Sequence, residues 1–112
     1  MESTRVKKIS RLLQRELADI FQKESKTITP GQMITVTVVR VSPDLGLAKI
    51  YLSIFPVKKE EDPITIINEH KNQIRHELGN RIRNQVRKIP ELAFYIDDSL
   101  DYIDNIDRLL KS

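Results

Sequence analysis

Gln32 to Phe55 reads QMITVTVVRVSPDLGLAKIYLSIF, and the alternation within this stretch decides the fold. Its second half carries Ala48, Ile50, Leu52 and Ile54 on one side and Lys49, Tyr51, Ser53 and Phe55 on the other. That period of two is the mark of a strand with one buried face. The first half, Gln32 to Val41, is rich in the β-branched Val, Ile and Thr that pack well on a pleated surface. Between the halves, Ser42-Pro43-Asp44-Leu45-Gly46 has turn chemistry: proline fixes φ, and Gly46 is available for a positive φ. The expectation is an antiparallel hairpin with one face turned to a core.

Toward the N-terminus, Ser3 or Thr4 can accept a backbone N–H and open a helix. Val6, Ile9, Leu13, Leu17, Ile20 and Phe21 recur at helical spacing as one apolar stripe, and Lys8, Arg11 and Arg15 fall on the opposite face. Thr29-Pro30-Gly31 then breaks the chain.

Toward the C-terminus, the charged loop Lys58 to Asp62 leads into Pro63, a good first-turn residue, and Ile64, Ile67, Ile74 and Leu78 stripe a second helix. Gly79-Asn80 is expected to interrupt it, because glycine costs about 1 kcal/mol relative to alanine inside a helix and asparagine tolerates the left-handed conformation. Ile82 and Val86 carry the stripe on to Ile89-Pro90, which makes a helix–kink–helix unit. Leu92 to Ile96 reads as a third strand. Asp98 or Ser99 caps a last helix with Leu100, Ile103, Ile106 and Leu110 inward. The order predicts a single α+β domain over residues 1–112, in two layers, with helices covering one face of a small sheet.

With 112 residues the chain suits one core, and its 39% hydrophobic and 31% charged residues place it among globular proteins. It has no cysteine, which removes disulfides and thiolate metal sites and fits a reducing compartment. No apolar run approaches the roughly 18 residues of a membrane span, so the expected location is the cytoplasm. The net charge of +3 is unevenly spread. Pro63 to Pro90 holds six basic and two acidic residues, whereas Glu91 to Ser112 holds two and six. A basic body with an acidic end suggests a polyanion approaching from one side.

Chemistry of other kinds has little to stand on. His70 and His76 are six apart, on different sides of a helix, and so cannot make an i,i+4 metal pair. There is no GxSxG motif and no glycine-rich phosphate loop in a chain with three glycines. No enzymatic activity, metal or cofactor is expected. The basic helices say more. Arg83 and Arg87 lie four apart on one flank of the Ile82–Val86 stripe, Arg81 and Lys88 lie seven apart on the other, and Lys71 and Arg75 share a face before the break. Arginine suits phosphate because its planar fork donates two hydrogen bonds at once. A break at Gly79-Asn80 would let a nucleic-acid backbone come close and would expose N–H groups to anions. The expected RNA contacts are therefore Arg75, Gly79, Asn80, Arg81, Arg83, Arg87 and Lys88, aided by Lys8, Arg11 and Arg15. An ordinary helix cap followed by a solvated basic helix explains the same residues without any ligand. On the outer sheet face, Tyr51 and Phe55 beside Lys49 could stack bases. The aromatic-and-glycine signature of sheet-based RNA readers is missing, which favours packing for both rings.

Several of these segments, taken together, resemble the ribosome-binding factor A family. They are Val41-Ser42-Pro43-Asp44-Leu45, then Ala48-Lys49-Ile50-Tyr51-Leu52-Ser53, Pro90-Glu91-Leu92-Ala93-Phe94, Asp97-Asp98-Ser99, and Ile106-Asp107-Arg108-Leu109-Leu110, with Arg5-Val6 at the start. The resemblance implies a fold similar to a type II KH domain in which a helix–kink–helix replaces the GxxG loop. It puts Gly79 at the kink, with Glu77 where family members often carry a small residue. It further implies a non-catalytic factor for late maturation of the small (30S) ribosomal subunit. Such a factor, a monomer, would bind 16S rRNA in the free subunit rather than the 70S ribosome and would support rRNA processing and growth after cold shock. The competing reading is a protein-interaction module whose acidic last helix docks a ribosomal protein or an assembly GTPase.

Overall fold

A computed structural model describes residues 4–56 and 62–97. The elements run α1 (Thr4–Ile28), β1 (Met33–Val41), β2 (Leu47–Phe55), α2 (Pro63–Glu69), α3 (Lys71–Ile82) and β3 (Glu91–Ile96). The last helix expected from Asp98 onward lies outside the described residues.

The α+β two-layer expectation holds. β1 and β2 pair antiparallel, from Met33 opposite Phe55 to Val41 opposite Ala48. β3 returns to lie parallel to β2, with Leu47 opposite Glu91 and Leu52 opposite Ile96, so the strand order is β1-β2-β3. One face of the sheet buries Ile34, Val36, Val39, Val41, Ala48, Ile50, Leu52, Ile54, Leu92 and Phe94. The helices cover that face with Val6, Leu13, Leu17, Ile20 and Phe21 from α1 and Ile67, Ile74, Leu78 and Ile82 from α2 and α3. Phe21 meets Phe94 edge to face at 5.9 Å, which ties α1 across the sheet to β3.

The first strand carries a feature that a plain alternating reading misses. Its inward residues change phase, from Ile34 and Val36 to Val39 and Val41, because the pairing slips between Val36 and Val38 and leaves Thr37 as a bulge. Without that extra residue Arg40 would point into the core and Val39 and Val41 out of it. The bulge is secured from both sides. Gln14 of α1 donates to the Thr37 carbonyl at 3.2 Å, and the Thr37 hydroxyl reaches the Asp97 carboxylate just past β3.

Three local expectations need correction. The break in the helical segment falls at His70, not at Gly79-Asn80. His70 sits at φ −100°, ψ 6°, its backbone N–H donates to Ile67, and its ring Nδ1 lies 3.0 Å from the Ile66 carbonyl. Gly79 continues α3, because Leu78 and Ile82 are fully buried on either side of it and their packing outweighs glycine's low helix propensity. Secondly, α3 ends at Ile82, so Arg83, Arg87 and Lys88 stand on the turn and loop that follow, not on a helix. Thirdly, the positive φ of the hairpin turn is taken by Leu45, at 62°, and not by Gly46.

Candidate nucleic-acid interface

The first helix delivers cations to one end of the domain because its stripe is inward. With Val6, Leu13 and Leu17 buried, Lys8, Arg11 and Arg15 are left exposed along one side. Two other segments meet that side. The turn Ser42–Gly46 stands beside it, held by hydrogen bonds from Leu45 N–H to the Ser42 carbonyl and from Ser42 N–H to the Leu47 carbonyl. The loop after α3 closes the far side with Gln85, Val86, Arg87 and Lys88. The result is an open groove of about 880 Å³ whose rim carries Arg5, Lys8, Arg11, Arg15, Arg87 and Lys88 and whose floor includes Ile9, Leu12, Leu45 and Val86.

Among the described residues, Asp44 is the one carboxylate lining this groove. Its Oδ1 accepts from the Ser42 hydroxyl at 2.6 Å and from the Gly46 N–H at 3.0 Å. Those donors, together with the charge of Lys88, hold its carboxyl below the ordinary carboxylate range, so it stays ionised among the cations. A second depression of about 580 Å³ lies around the C-terminal half of α3, lined by Arg75, Gly79, Asn80 and Arg83 among others, and it shares Lys88 with the first.

The structure thus sorts the ten residues expected to touch RNA. Lys8, Arg11, Arg15, Arg87 and Lys88 come together around one groove; Gly79, Asn80 and Arg83 border the second depression. Arg75 also borders it, but its guanidinium donates to the carbonyls of Pro90 and Ile89, at 3.1 and 2.8 Å, and so braces the segment that leads into β3. Arg81 faces inward. It meets Asp19 at 2.6 Å, Glu16 at 3.4 Å and Glu77 at 3.3 Å, and it clamps α3 to α1. Asp19, hydrogen-bonded by Arg81 and Lys23, is held below its ordinary pKa, while its bond to Arg81 holds that guanidinium above its own.

Sequence reasoning passed over Arg5, Asp44 and Leu45. Arg5 had a readable signal, since it precedes Lys8 by one helical turn. Asp44 and Leu45 had none beyond turn chemistry. On the outer sheet face, Tyr51 stacks on Tyr95 at 5.4 Å, while Phe55 stays 70% exposed. Among the described residues no helix is long and apolar enough to cross a membrane, and no three His, Asp or Glu side chains gather as metal ligands do.

A helix, a hairpin, a broken helix pair and a returning parallel strand, with α1, α2 and α3 on one side of the sheet, define a KH-like α+β domain. A groove rimmed by cations lies at one end of it. The chain belongs to the ribosome-binding factor A family, whose model matches residues 5–110. It is 51% identical over 111 residues to ribosome-binding factor A of Christiangramia forsetii, covering 98% of this chain and 85% of that protein. It is 47% identical over 110 residues to the Cytophaga hutchinsonii protein of the same name, covering 98% and 83%. The fold is shared with the crystal structure of ribosome-binding factor A from Thermus thermophilus, with a TM-score of 0.66 and 21% identity over 81% of this chain and 94% of that one. It is also shared with the Thermus thermophilus homology model fitted into a cryo-EM map of a 30S–RbfA complex, with a TM-score of 0.64 and 23% identity over 80% and 91%.

Proposed function

We propose that this protein binds the small ribosomal subunit and assists its late maturation, gripping 16S rRNA phosphates with the cations of the groove. The observation that carries the reading is the convergence of Lys8, Arg11 and Arg15 on α1 with Arg87 and Lys88 from the loop after α3. The two groups are far apart in sequence, and a rim that gathers these five cations with Arg5 answers a phosphate backbone better than it answers a single anion. Membership of the ribosome-binding factor A family and the 30S complex of its Thermus thermophilus member support the choice of RNA. In this reading the protein is a cytoplasmic monomer without catalytic activity. It acts on the free 30S subunit rather than the 70S ribosome, and it aids 16S rRNA processing and growth in the cold.

The test is co-sedimentation of the protein with purified 30S subunits. Arg11→Ala/Arg87→Ala removes one cation from α1 and one from the loop after α3, and leaves every hydrogen bond within the fold in place. Association should fall, with an unchanged melting temperature. Full association by the double variant overturns the assignment to this groove.

A further inference from the structure

Within a groove built to repel cations and hold anions, one carboxylate and one strained leucine are out of place. Leu45 takes φ 62°, a region that disfavours side chains with a Cβ, although Gly46 beside it would adopt it freely. The conformation sets Leu45 half-buried on the floor of the groove with Ile9, Leu12 and Val86. The same turn places Asp44 at the groove, where a purely phosphate-binding surface would exclude it. Ser42 and Gly46 both bond to Oδ1 of Asp44, and Oδ2 receives neither. The turn therefore presents an apolar surface and an ionised acceptor side by side, inside a ring of cations.

We propose that this groove holds one unpaired guanine of an RNA strand. The base lies against Leu45 and Val86, its Watson–Crick edge donates to Asp44, and the phosphates on either side run to Arg11, Arg15, Arg87 and Lys88. Guanine is singled out by the acceptor. A carboxylate has no proton to give, and guanine alone offers it two adjacent donors, N1–H and the N2 amino group. Adenine and cytosine each place a ring acceptor beside their amino group, and uracil offers a single N–H between two carbonyls. The volume of about 880 Å³ lies within the range of clefts that enclose small organic ligands, so a base fits. The α2–α3 junction at His70 is not among the residues lining the groove, so base recognition here is independent of that helix break. The inference rests on the RNA-binding reading above and names which nucleotide that site selects.

The test is binding of short, fluorescently labelled single-stranded RNAs to the full chain at low salt, read by anisotropy. A uracil-flanked guanine should bind roughly tenfold more tightly than the same strand with adenine in its place, the order expected of a paired donor–acceptor readout. Inosine, which lacks the N2 amino group, should lose most of that advantage on the unaltered protein. Asp44→Asn keeps an oxygen to accept from Ser42 and Gly46, so the turn should survive, as an unchanged melting curve would show. Its guanine-to-adenine ratio should nevertheless fall to about one. Equal binding of guanine and adenine strands overturns the inference, as does a preference that survives Asp44→Asn or the absence of binding by every strand. Guanosine monophosphate binding as tightly as the strand would point to a free nucleotide and overturn it too. If Arg11→Ala/Arg87→Ala loses 30S subunits while the base ratio is one, phosphate gripping stands and guanine selection fails.

Discussion

Arg75 and Arg11 share a side chain but not a task. The guanidinium of Arg75 is engaged by two backbone carbonyls, and that of Arg81 by three carboxylates, so neither is available to phosphate as Arg11 and Arg87 are. Charge counting along the chain treats all four alike, because partners such as Asp19, more than sixty positions away from Arg81, leave no local signal. Removing Arg81 would leave Glu16, Asp19 and Glu77 facing one another. Arg81→Ala is expected to destabilise the fold by about 1–2 kcal/mol in urea unfolding, a modest figure because the site is partly wet. The pH dependence has a definite sign. Asp19 has a lowered pKa in the folded state, first through its bond to Arg81 and then through Lys23. Its contribution is therefore complete above the ordinary carboxyl range and is lost as pH falls through the lowered value. Unfolding of Asp19→Asn should show a flatter acid limb than the native protein. Gly79 offers the opposite case. A Cβ there meets Ile89 Cγ1 at 3.6 Å, an ordinary contact, and the backbone is helical. Gly79→Ala should raise stability by about 0.5–1 kcal/mol in the same measurement. A loss instead would mean that α3 bends at this position in solution.

Among the elements, those with a strong period were legible from sequence. The stripe of β2 is buried residue for residue as its spacing predicts, and that of α1 is too except for Ile9, which is half-buried at the groove, because 3.6 and 2 are geometric consequences of helix and strand. The helix break was not legible. Gly79-Asn80 is a breaker by propensity, yet packing of Leu78 and Ile82 carries the helix across it, while the real break depends on a histidine ring beside a carbonyl one turn back. The bulge in β1 was half legible, since the inward valines change phase between Val36 and Val39. What holds it, an α1 glutamine and a carboxylate sixty residues on, is tertiary. Thr37→Val keeps the shape and β propensity of the residue but deletes the hydroxyl bound to Asp97. The expected cost is about 1 kcal/mol, with faster hydrogen exchange at the Asp97 amide, which donates to Leu52 at 2.7 Å. Unchanged exchange there would remove the bulge's role as an anchor for β3. Of the groove, sequence supplied the α1 wall and the cations of the opposite loop; it could not supply their meeting, nor the inward turn of Leu45.

For the molecule as a whole, the proposed grip on RNA phosphates predicts a dependence on salt, because each bound phosphate releases condensed counterions. The logarithm of the 30S association constant should fall linearly with that of salt concentration, and Lys88→Ala should lower the slope by about one. An unchanged slope would place Lys88 outside the contact. The walls of the groove come from residues 4–15, from the turn at 42–46, and from residues 85–88, and no two of them share a secondary-structure element. The turn is pinned to the start of β3 by the bond from Glu91 N–H to the Gly46 carbonyl, and the last wall is braced by Arg75. A growing chain that has produced only α1 and the hairpin therefore has two walls and no groove. On the proposed reading, affinity for RNA would appear only when the returning strand is seated, so recognition would double as an inspection of finished folding. A strand lying across all three walls would in turn act as an external staple, tightening the domain with the logarithm of its own concentration once that exceeds its Kd.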